Sequence, residues 1–145
     1  TAYNFDISDG NKYIEFEKKE KISSAKFDLK TGLRLRDKFE LLNNENTLKM
    51  SFDLFKHDTL LLPSLKSDYI ILKDDLKKDY IKIEFSEFEN LAIWTPNAPF
   101  VCIEPWQGST DYIDENIKLR DKEDIYELAC KKKKTFSTVI TVLNN

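Results

Sequence analysis

A long apolar run and a strong net charge are both missing from this chain. No apolar stretch approaches the ~20 residues that a membrane helix needs, and no charged-then-apolar signal segment opens the sequence. The net charge is only −3, and the one basic run, Lys131 to Lys134, is typical of a solvated turn. The arginines, Arg34, Arg36 and Arg120, form no evident cluster for a phosphate group. We therefore expect neither a membrane nor a nucleic-acid partner.

Cysteine and histidine are also scarce, with two cysteines and one histidine in the whole chain. Cys102 and Cys130 form neither a CxxC pair nor a metal-ligand spacing. This favours reduced thiols and a cytoplasmic location, although a disulfide between the two stays open. The single histidine, His57, neighbours Asp58 and is typical of a solvated loop residue.

The composition that remains is that of a globular protein. Hydrophobic residues make up 41% and charged residues 34% of the 145 positions, which suits one domain with a real core. No internal repeat, low-complexity tract or linker divides the chain. It opens on Thr1 without an initiator Met and runs directly into structured-looking sequence, as a fragment or processed piece would.

The dominant pattern along the chain is an alternation of apolar and polar residues. Ile81, Ile83 and Phe85 lie on one face of their segment, while Lys82 and Glu84 lie on the other. Period-two alternation of this kind predicts half-buried β-strands. The predicted strands are Lys12–Glu17, Leu48–Phe55, Thr59–Leu62, Ser67–Lys73, Asp79–Phe85, Leu91–Thr95, Phe100–Glu104 and Thr135–Leu143.

Turn signals that contain Gly or Pro separate these strands, as in Asp9–Asn11 and Thr95–Pro99. Short strands spaced by turns, with few helix signals, predict an all-β antiparallel sandwich or barrel. One segment is ambiguous, because Ile125, Leu128 and Ala129 have helical spacing. The same residues could instead form a strand, Ile125–Cys130, that pairs with the last predicted strand.

The stretch from Leu91 to Gly108 carries the candidate chemistry. Glu104 ends an apolar strand and is followed by Pro105, which cannot continue a central ladder, so we expect the carboxylate where the sheet opens into a loop. Trp106 beside it offers an apolar wall. An acid next to an aromatic ring suits both general-base catalysis and sugar binding. On local chemistry alone, however, a glutamate at a strand end is more often an ordinary surface residue.

The residue pattern of this stretch resembles the aldose 1-epimerase (galactose mutarotase-like) family, in particular its LacX-like branch. There, an apolar–Trp strand leads through a Pro-containing turn to a second strand that ends in Cys-Ile-Glu-Pro-Trp, followed closely by Gly. The resemblance implies that Glu104 is the base that removes the proton from the anomeric hydroxyl of a hexose. The matching residues are Ile93, Trp94, Pro96, Pro99, Cys102, Ile103, Glu104, Pro105, Trp106 and Gly108.

The resemblance extends over nearly all of the chain but covers only about the C-terminal half of the family's sandwich domain. Downstream, the family's order of closing strands favours a strand at Ile125–Cys130. Upstream, Asp58 matches an acid that binds sugar hydroxyls, although a structural Asp turn fits equally well. Thr1–Asn4 resembles the tail of a His-Pro-Ala-Phe-Asn-like element, which would place the family's general-acid histidine just before Thr1. The resemblance thus implies a galactose mutarotase-like β-sandwich present as a partial domain.

Two functions follow from the resemblance. In the first, the protein interconverts the α and β anomers of a hexose, with Glu104 as base, Asp58 and Gln107 at sugar hydroxyls, and Trp94 and Trp106 shaping the pocket. Core packing stays open for both tryptophans, and this chemistry needs no metal or organic cofactor. In the second, the protein is a non-catalytic carbohydrate-binding relative or an inactive fragment.

A half sandwich exposes strand edges, so self-association or pairing with the missing N-terminal half is also expected.

Overall fold

The computed structural model describes residues 1–74 and 78–143. Strands dominate these residues, and the helices among them are short 3-10 turns. The strands are β1 (Ala2–Tyr3), β2 (Lys12–Phe27), β3 (Arg34–Lys49), β4 (Leu60–Pro63), β5 (Tyr69–Asp74), β6 (Asp79–Glu84), β7 (Asn90–Trp94), β8 (Val101–Trp106) and β9 (Val139–Val142); the 3-10 helices are Phe52–Phe55 and Leu119–Asp121.

Two sheets carry the strands and pack face to face. Sheet A has the order β1-β8-β7-β4, and sheet B has the order β3-β2-β5-β6-β9. Neighbouring strands within each sheet are antiparallel. The predicted all-β antiparallel sandwich is therefore confirmed. No helix in the described ranges is long and apolar enough to cross a membrane.

The core lies between the two sheets and is built from alternate positions of their strands. Ile14 and Phe16 of β2 and Ile83 of β6 are at most 1% exposed, as the period-two pattern predicts. Sheet A faces them with apolar side chains from three strands, so each sheet buries one face. The sheet A residues in this core are Leu60, Leu62, Leu91, Ile93, Val101 and Ile103.

The β2–β3 hairpin is longer than the sequence predicts. Both strands run for 16 residues, and their register shifts at several points along the ladder. Past these shifts the distal half of β2 reaches sheet A, where the Ser24 hydroxyl accepts a hydrogen bond from Leu61 N at 2.9 Å. The prediction ended at Glu17 because the charged run that follows breaks the alternation.

The predicted strand Leu48–Phe55 is wrong beyond Lys49. Residues Phe52–Phe55 form a 3-10 helix, in which Leu54 N donates to Ser51 O at 3.2 Å and Phe55 is buried. The chain has to turn here because β3 belongs to sheet B whereas β4 belongs to sheet A.

The predicted strand Ile125–Cys130 is also wrong, because this segment forms neither a strand nor a helix. Its expected partner was the predicted strand Thr135–Leu143; within that range the strand is Val139–Val142, and it pairs with β6, where Ile140 lies opposite Ile83. The last strand, β9, thus forms an edge of sheet B. Ile125 and Leu128, which were expected to pair with it, are 43% and 49% exposed.

Candidate active site

Strands β7 and β8 place the candidate residues on the face of sheet A that points away from the core. Val101 and Ile103 of β8 enter the core, so the alternate residues of the same strand project from the other side. Residues of β7 and β4 directly opposite them share that side. We call this side the outer face of sheet A; it carries Leu61, Asn90, Ala92, Trp94, Cys102, Glu104 and Trp106.

Glu104 is half-buried on the outer face, directly opposite Ala92. Its Oε2 accepts a hydrogen bond from Trp106 Nε1 at 3.1 Å. The tryptophan therefore contributes a polar N–H as well as an apolar wall. Oε1 accepts no hydrogen bond from the described residues, so one carboxylate oxygen is oriented and the other is available to a ligand.

Strand β8 does not end at Glu104, contrary to the expectation from Pro105. Pro105 and Trp106 continue the strand, opposite Leu91 and Asn90 respectively. The proline is tolerated because of the direction of its nitrogen. Ile103 N points to the β1 side, where it donates to Thr1 O at 3.0 Å, and the nitrogen of residue 105 points the same way. The proline therefore interrupts no hydrogen bond between β7 and β8.

Trp94 lies opposite Cys102 and therefore diagonal to Glu104, within reach of a large side chain. The structure thus brings Trp94, Glu104 and Trp106 together on one face. Both cysteines are free thiols. Burial raises the pKa of the Cys102 thiol above its ordinary value, and the Glu104 carboxylate raises it further, so this thiol stays protonated beside the candidate base.

Asp58 occupies the turn before β4. Its backbone has a φ of 71° and its N–H donates to Phe55 O at 2.9 Å. Because Leu60 pairs with Ile93, Asp58 lies at the Trp94 end of the sheet. Its carboxylate forms no hydrogen bond or ion pair with the described residues. The turn geometry and the free carboxylate together leave both predicted roles, structural turn and sugar ligand, open.

Gln107 and His57 are not among the residues of the outer face. Gln107 follows β8, and its Nε2 donates to Asp124 O at 3.4 Å. The His57 ring packs against Phe39 of β3, with ring centres 5.7 Å apart. Neither side chain contacts Glu104 through a hydrogen bond.

A segment that follows β8, residues 107–124, closes a cavity next to the outer face. Asn90 anchors it, because its Nδ2 donates to Gly108 O at 3.2 Å and to Asp124 Oδ2 at 3.0 Å. The cavity has a volume of about 210 Å³. It is lined by Ser23, Ala25, Arg34, Lys38, Leu61, Pro63, Ser64, Asn90, Tyr112, Glu123 and Asp124.

Comparisons with known proteins agree with this architecture, although no protein-family model matches the chain. The plasmid and chromosomal LacX proteins of Lactococcus lactis subsp. lactis are 32% and 31% identical to it over an aligned length of 150 residues. The alignment covers 99% of this chain and 50% of each relative. The chain therefore spans about half the length of the curated relatives it matches.

Two solved structures share the fold. A galactose mutarotase-like protein from Lactobacillus casei superposes with a TM-score of 0.73 at 20% identity, over 96% of this chain and 48% of that one. A galactose mutarotase related enzyme from Lactobacillus acidophilus gives a TM-score of 0.79 at 20% identity, over 93% and 46%. The chain is therefore similar to LacX over half of LacX's length, and it has the galactose mutarotase-like fold.

In this galactose mutarotase-like chain, sequence reasoning missed the residues that build the cavity. Asn90 is only 3% exposed, and a polar residue at the start of the apolar run Asn90–Trp94 was the available signal. Arg34 is 7% exposed, and its alternation with Arg36 and Lys38 was a second signal. Among the residues that the structure describes, no three His, Cys, Asp or Glu side chains group so as to hold a metal ion.

Proposed function

We propose that the protein interconverts the α and β anomers of a hexose, with Glu104 as the general base. The observation that carries the proposal is the half-buried Glu104 carboxylate, which Trp106 holds by one oxygen while the other stays free. The mutarotase-like fold and the LacX relatives support the choice of a sugar as ligand.

The proposed reaction has one proton leaving and one arriving. Glu104 removes the proton of the anomeric hydroxyl, the electron pair forms the C1 carbonyl, and the bond between C1 and the ring oxygen breaks. The ring oxygen takes a proton from a general acid, C1 turns about the C1–C2 bond, and the reverse steps close the ring on the other face. The resemblance of Thr1–Asn4 to the family's His-containing element suggests a histidine upstream as that acid.

Four other residues complete the proposed site. Trp94 and Trp106 flank Glu104 and would pack against the apolar face of a sugar ring. Asp58 would accept hydrogen bonds from sugar hydroxyls, because its carboxylate has no partner among the described residues. Gln107 would do the same through the amide oxygen that its contact with Asp124 leaves free.

The proposal is tested by polarimetry on freshly dissolved α-galactose, with the protein as its gene encodes it. The wild type is expected to accelerate the relaxation of optical rotation. Glu104→Gln removes the base and is expected to slow the catalysed rate by about 10²- to 10⁴-fold. Glu127→Gln, which alters an exposed glutamate off the outer face, is the matched control and should behave as the wild type.

Each result separates two hypotheses. An accelerated wild type with an unimpaired Glu104→Gln variant would overturn the role of Glu104. A wild type that binds galactose in calorimetry without accelerating mutarotation would favour the second function, a carbohydrate-binding protein without turnover.

A further inference from the structure

Strand β3 begins with a row of positive charges on one face. Arg34 and Arg36 both lie against the ring of Tyr112, with guanidinium carbons 4.0 and 3.8 Å from the ring centre. Lys38, two residues further on, lines the same cavity as Arg34. The alternation of the strand thus places these three cationic residues on one side of β3.

Arg34 is buried with hydrogen-bonding capacity to spare. Its side chain is 8% exposed, and Nε donates to Thr110 O at 2.6 Å. Nη1 and Nη2 share a single oxygen, Glu123 Oε2, at 3.4 Å each. A guanidinium has five N–H donors, so two of them have no partner in the described structure. Because Arg34 lines the cavity, these two N–H groups can donate to an acceptor that enters it.

The two carboxylates that line the cavity, those of Glu123 and Asp124, leave the Arg34 guanidinium without a bidentate acceptor. Glu123 is 59% exposed and accepts two long hydrogen bonds from Arg34 through a single oxygen, rather than forming a bidentate pair with both oxygens. Asp124 accepts from Asn90 instead. Lys38 forms no ion pair with the described residues. A movement of Glu123 into solvent would leave the cavity with two positive groups and one negative group.

The cavity adjoins the proposed catalytic residues. Leu61, in its wall, and Glu104 are the two cross-strand neighbours of Ala92, one on each side. Strands lie about 4.8 Å apart, so the two residues are separated by roughly 10 Å across the same face. This separation is comparable to the length of a hexose that carries an acidic substituent.

We infer that the Arg34 cavity binds the oxyanion group, phosphate or carboxylate, of an acidic sugar whose ring lies at Glu104. The oxyanion displaces Glu123 and takes the bidentate contact with Nη1 and Nη2 that a single glutamate oxygen does not provide. Lys38 adds a second positive charge to the cavity lining. The inference rests on the proposed function for the sugar ring, but the anion contact depends on the cavity alone.

Calorimetric titration of the protein as its gene encodes it tests the inference. Galactose, galactose 6-phosphate, galacturonate and inorganic phosphate are the four probes, and the two acidic sugars separate phosphate from carboxylate. At least one acidic sugar is expected to bind about tenfold or more tightly than galactose. Glu123→Gln removes the competing carboxylate and should strengthen that binding, whereas Arg34→Gln should abolish the preference. Lys132→Gln, in the exposed basic run, is the control for surface binding and should change nothing.

The outcomes distinguish this inference from the proposed function. Equal affinities for galactose and both acidic sugars would overturn it while leaving the proposed function standing. Binding of inorganic phosphate that Glu123→Gln strengthens, without binding of any sugar, would support the anion contact and overturn the sugar function. Because Arg34→Gln removes buried contacts and could unfold the protein, the exposed Glu123→Gln variant decides: unchanged or weaker binding of the acidic sugar would overturn the inference.

Discussion

At the scale of single residues, Glu20 is a charged side chain that the fold buries almost completely. It is 1% exposed, and its Oε1 accepts hydrogen bonds from Lys66 N at 3.0 Å, Ser67 N at 2.8 Å and Ser67 Oγ at 2.6 Å. The carboxylate therefore satisfies the backbone of the turn before β5 and ties that turn to the distal half of β2.

We predict that Glu20→Ala lowers the free energy of unfolding by about 3 kcal/mol, because it leaves buried donors at residues 66 and 67 without an acceptor. Glu20→Gln keeps an acceptor oxygen and should cost clearly less. Glu17→Ala, which removes an exposed carboxylate that accepts from Asp68 N, is the matched control and should also cost less. Urea unfolding followed by circular dichroism measures all three. Equal losses for Glu17→Ala and Glu20→Ala would contradict the prediction.

Glu20 and Glu104 show what the sequence reveals about single residues. Glu104 could be singled out because a specific pattern, Cys-Ile-Glu-Pro-Trp, surrounds it. Glu20 could not, because it stands in the run Lys18–Lys21 and resembles a solvated charge. Its burial depends on donors at residues 66 and 67, which come near only through the pairing of distant strands.

At the scale of elements, a β-bulge at Asn44 bends the long hairpin. Glu20 pairs with Glu45 and Lys21 with Asn43, so Asn44 is left without a partner in the ladder. Its φ of 63° lies in the left-handed region, which asparagine tolerates better than most residues. A bulge of this kind increases the local twist, and beyond it the hairpin supplies Ser23, Ala25 and Arg34 to the cavity wall.

We predict that Asn44→Val lowers the free energy of unfolding by about 1–2 kcal/mol, because a β-branched residue is strained at positive φ. Asn44 is exposed, so lost packing does not confound the result. Asn44→Gly is the matched control and should be near neutral, since glycine adopts this conformation without steric cost. Thermal unfolding of the two variants and the wild type provides the comparison. A glycine variant as unstable as the valine variant would show that the backbone conformation is not the cause.

The elements that the sequence predicts well are those whose burial is decided locally. Strands such as β5, β6 and β7 combine an apolar face with short flanking turns, and their predicted bounds lie within two residues of those observed. The distal parts of β2 and β3 were missed because the charged run after Glu17 and the bulges between the two strands interrupt the period-two pattern. Ile125–Cys130 was predicted as a strand because it was expected to pair with the last strand of the chain. The last strand pairs with β6 instead, at the edge of sheet B.

At the scale of the whole molecule, exposed apolar side chains concentrate in the last third of the chain. Among the described residues, Leu29 is the one large exposed hydrophobic that lies before residue 113. The strand β9 is an edge of sheet B, and Val139, Ile140 and Val142 are 51%, 46% and 70% exposed. Exposed apolar edges of this kind favour pairing with another chain or segment. The others are Ile113, Ile117, Leu119, Ile125, Tyr126 and Leu128.

We predict that the 145 residues alone associate with a second copy, or with a chain that supplies the half of LacX that this chain does not match, because exposed apolar strand edges favour pairing. Light scattering after size exclusion should give a mass above the 17.1 kDa of one chain, rising with concentration. Val142→Lys places a charge on the edge and should weaken the association, whereas Leu29→Lys, far from β9 in the sequence, should not. A monodisperse monomer that unfolds cooperatively would overturn this prediction. Association that both lysine variants weaken equally would place the contact somewhere other than β9.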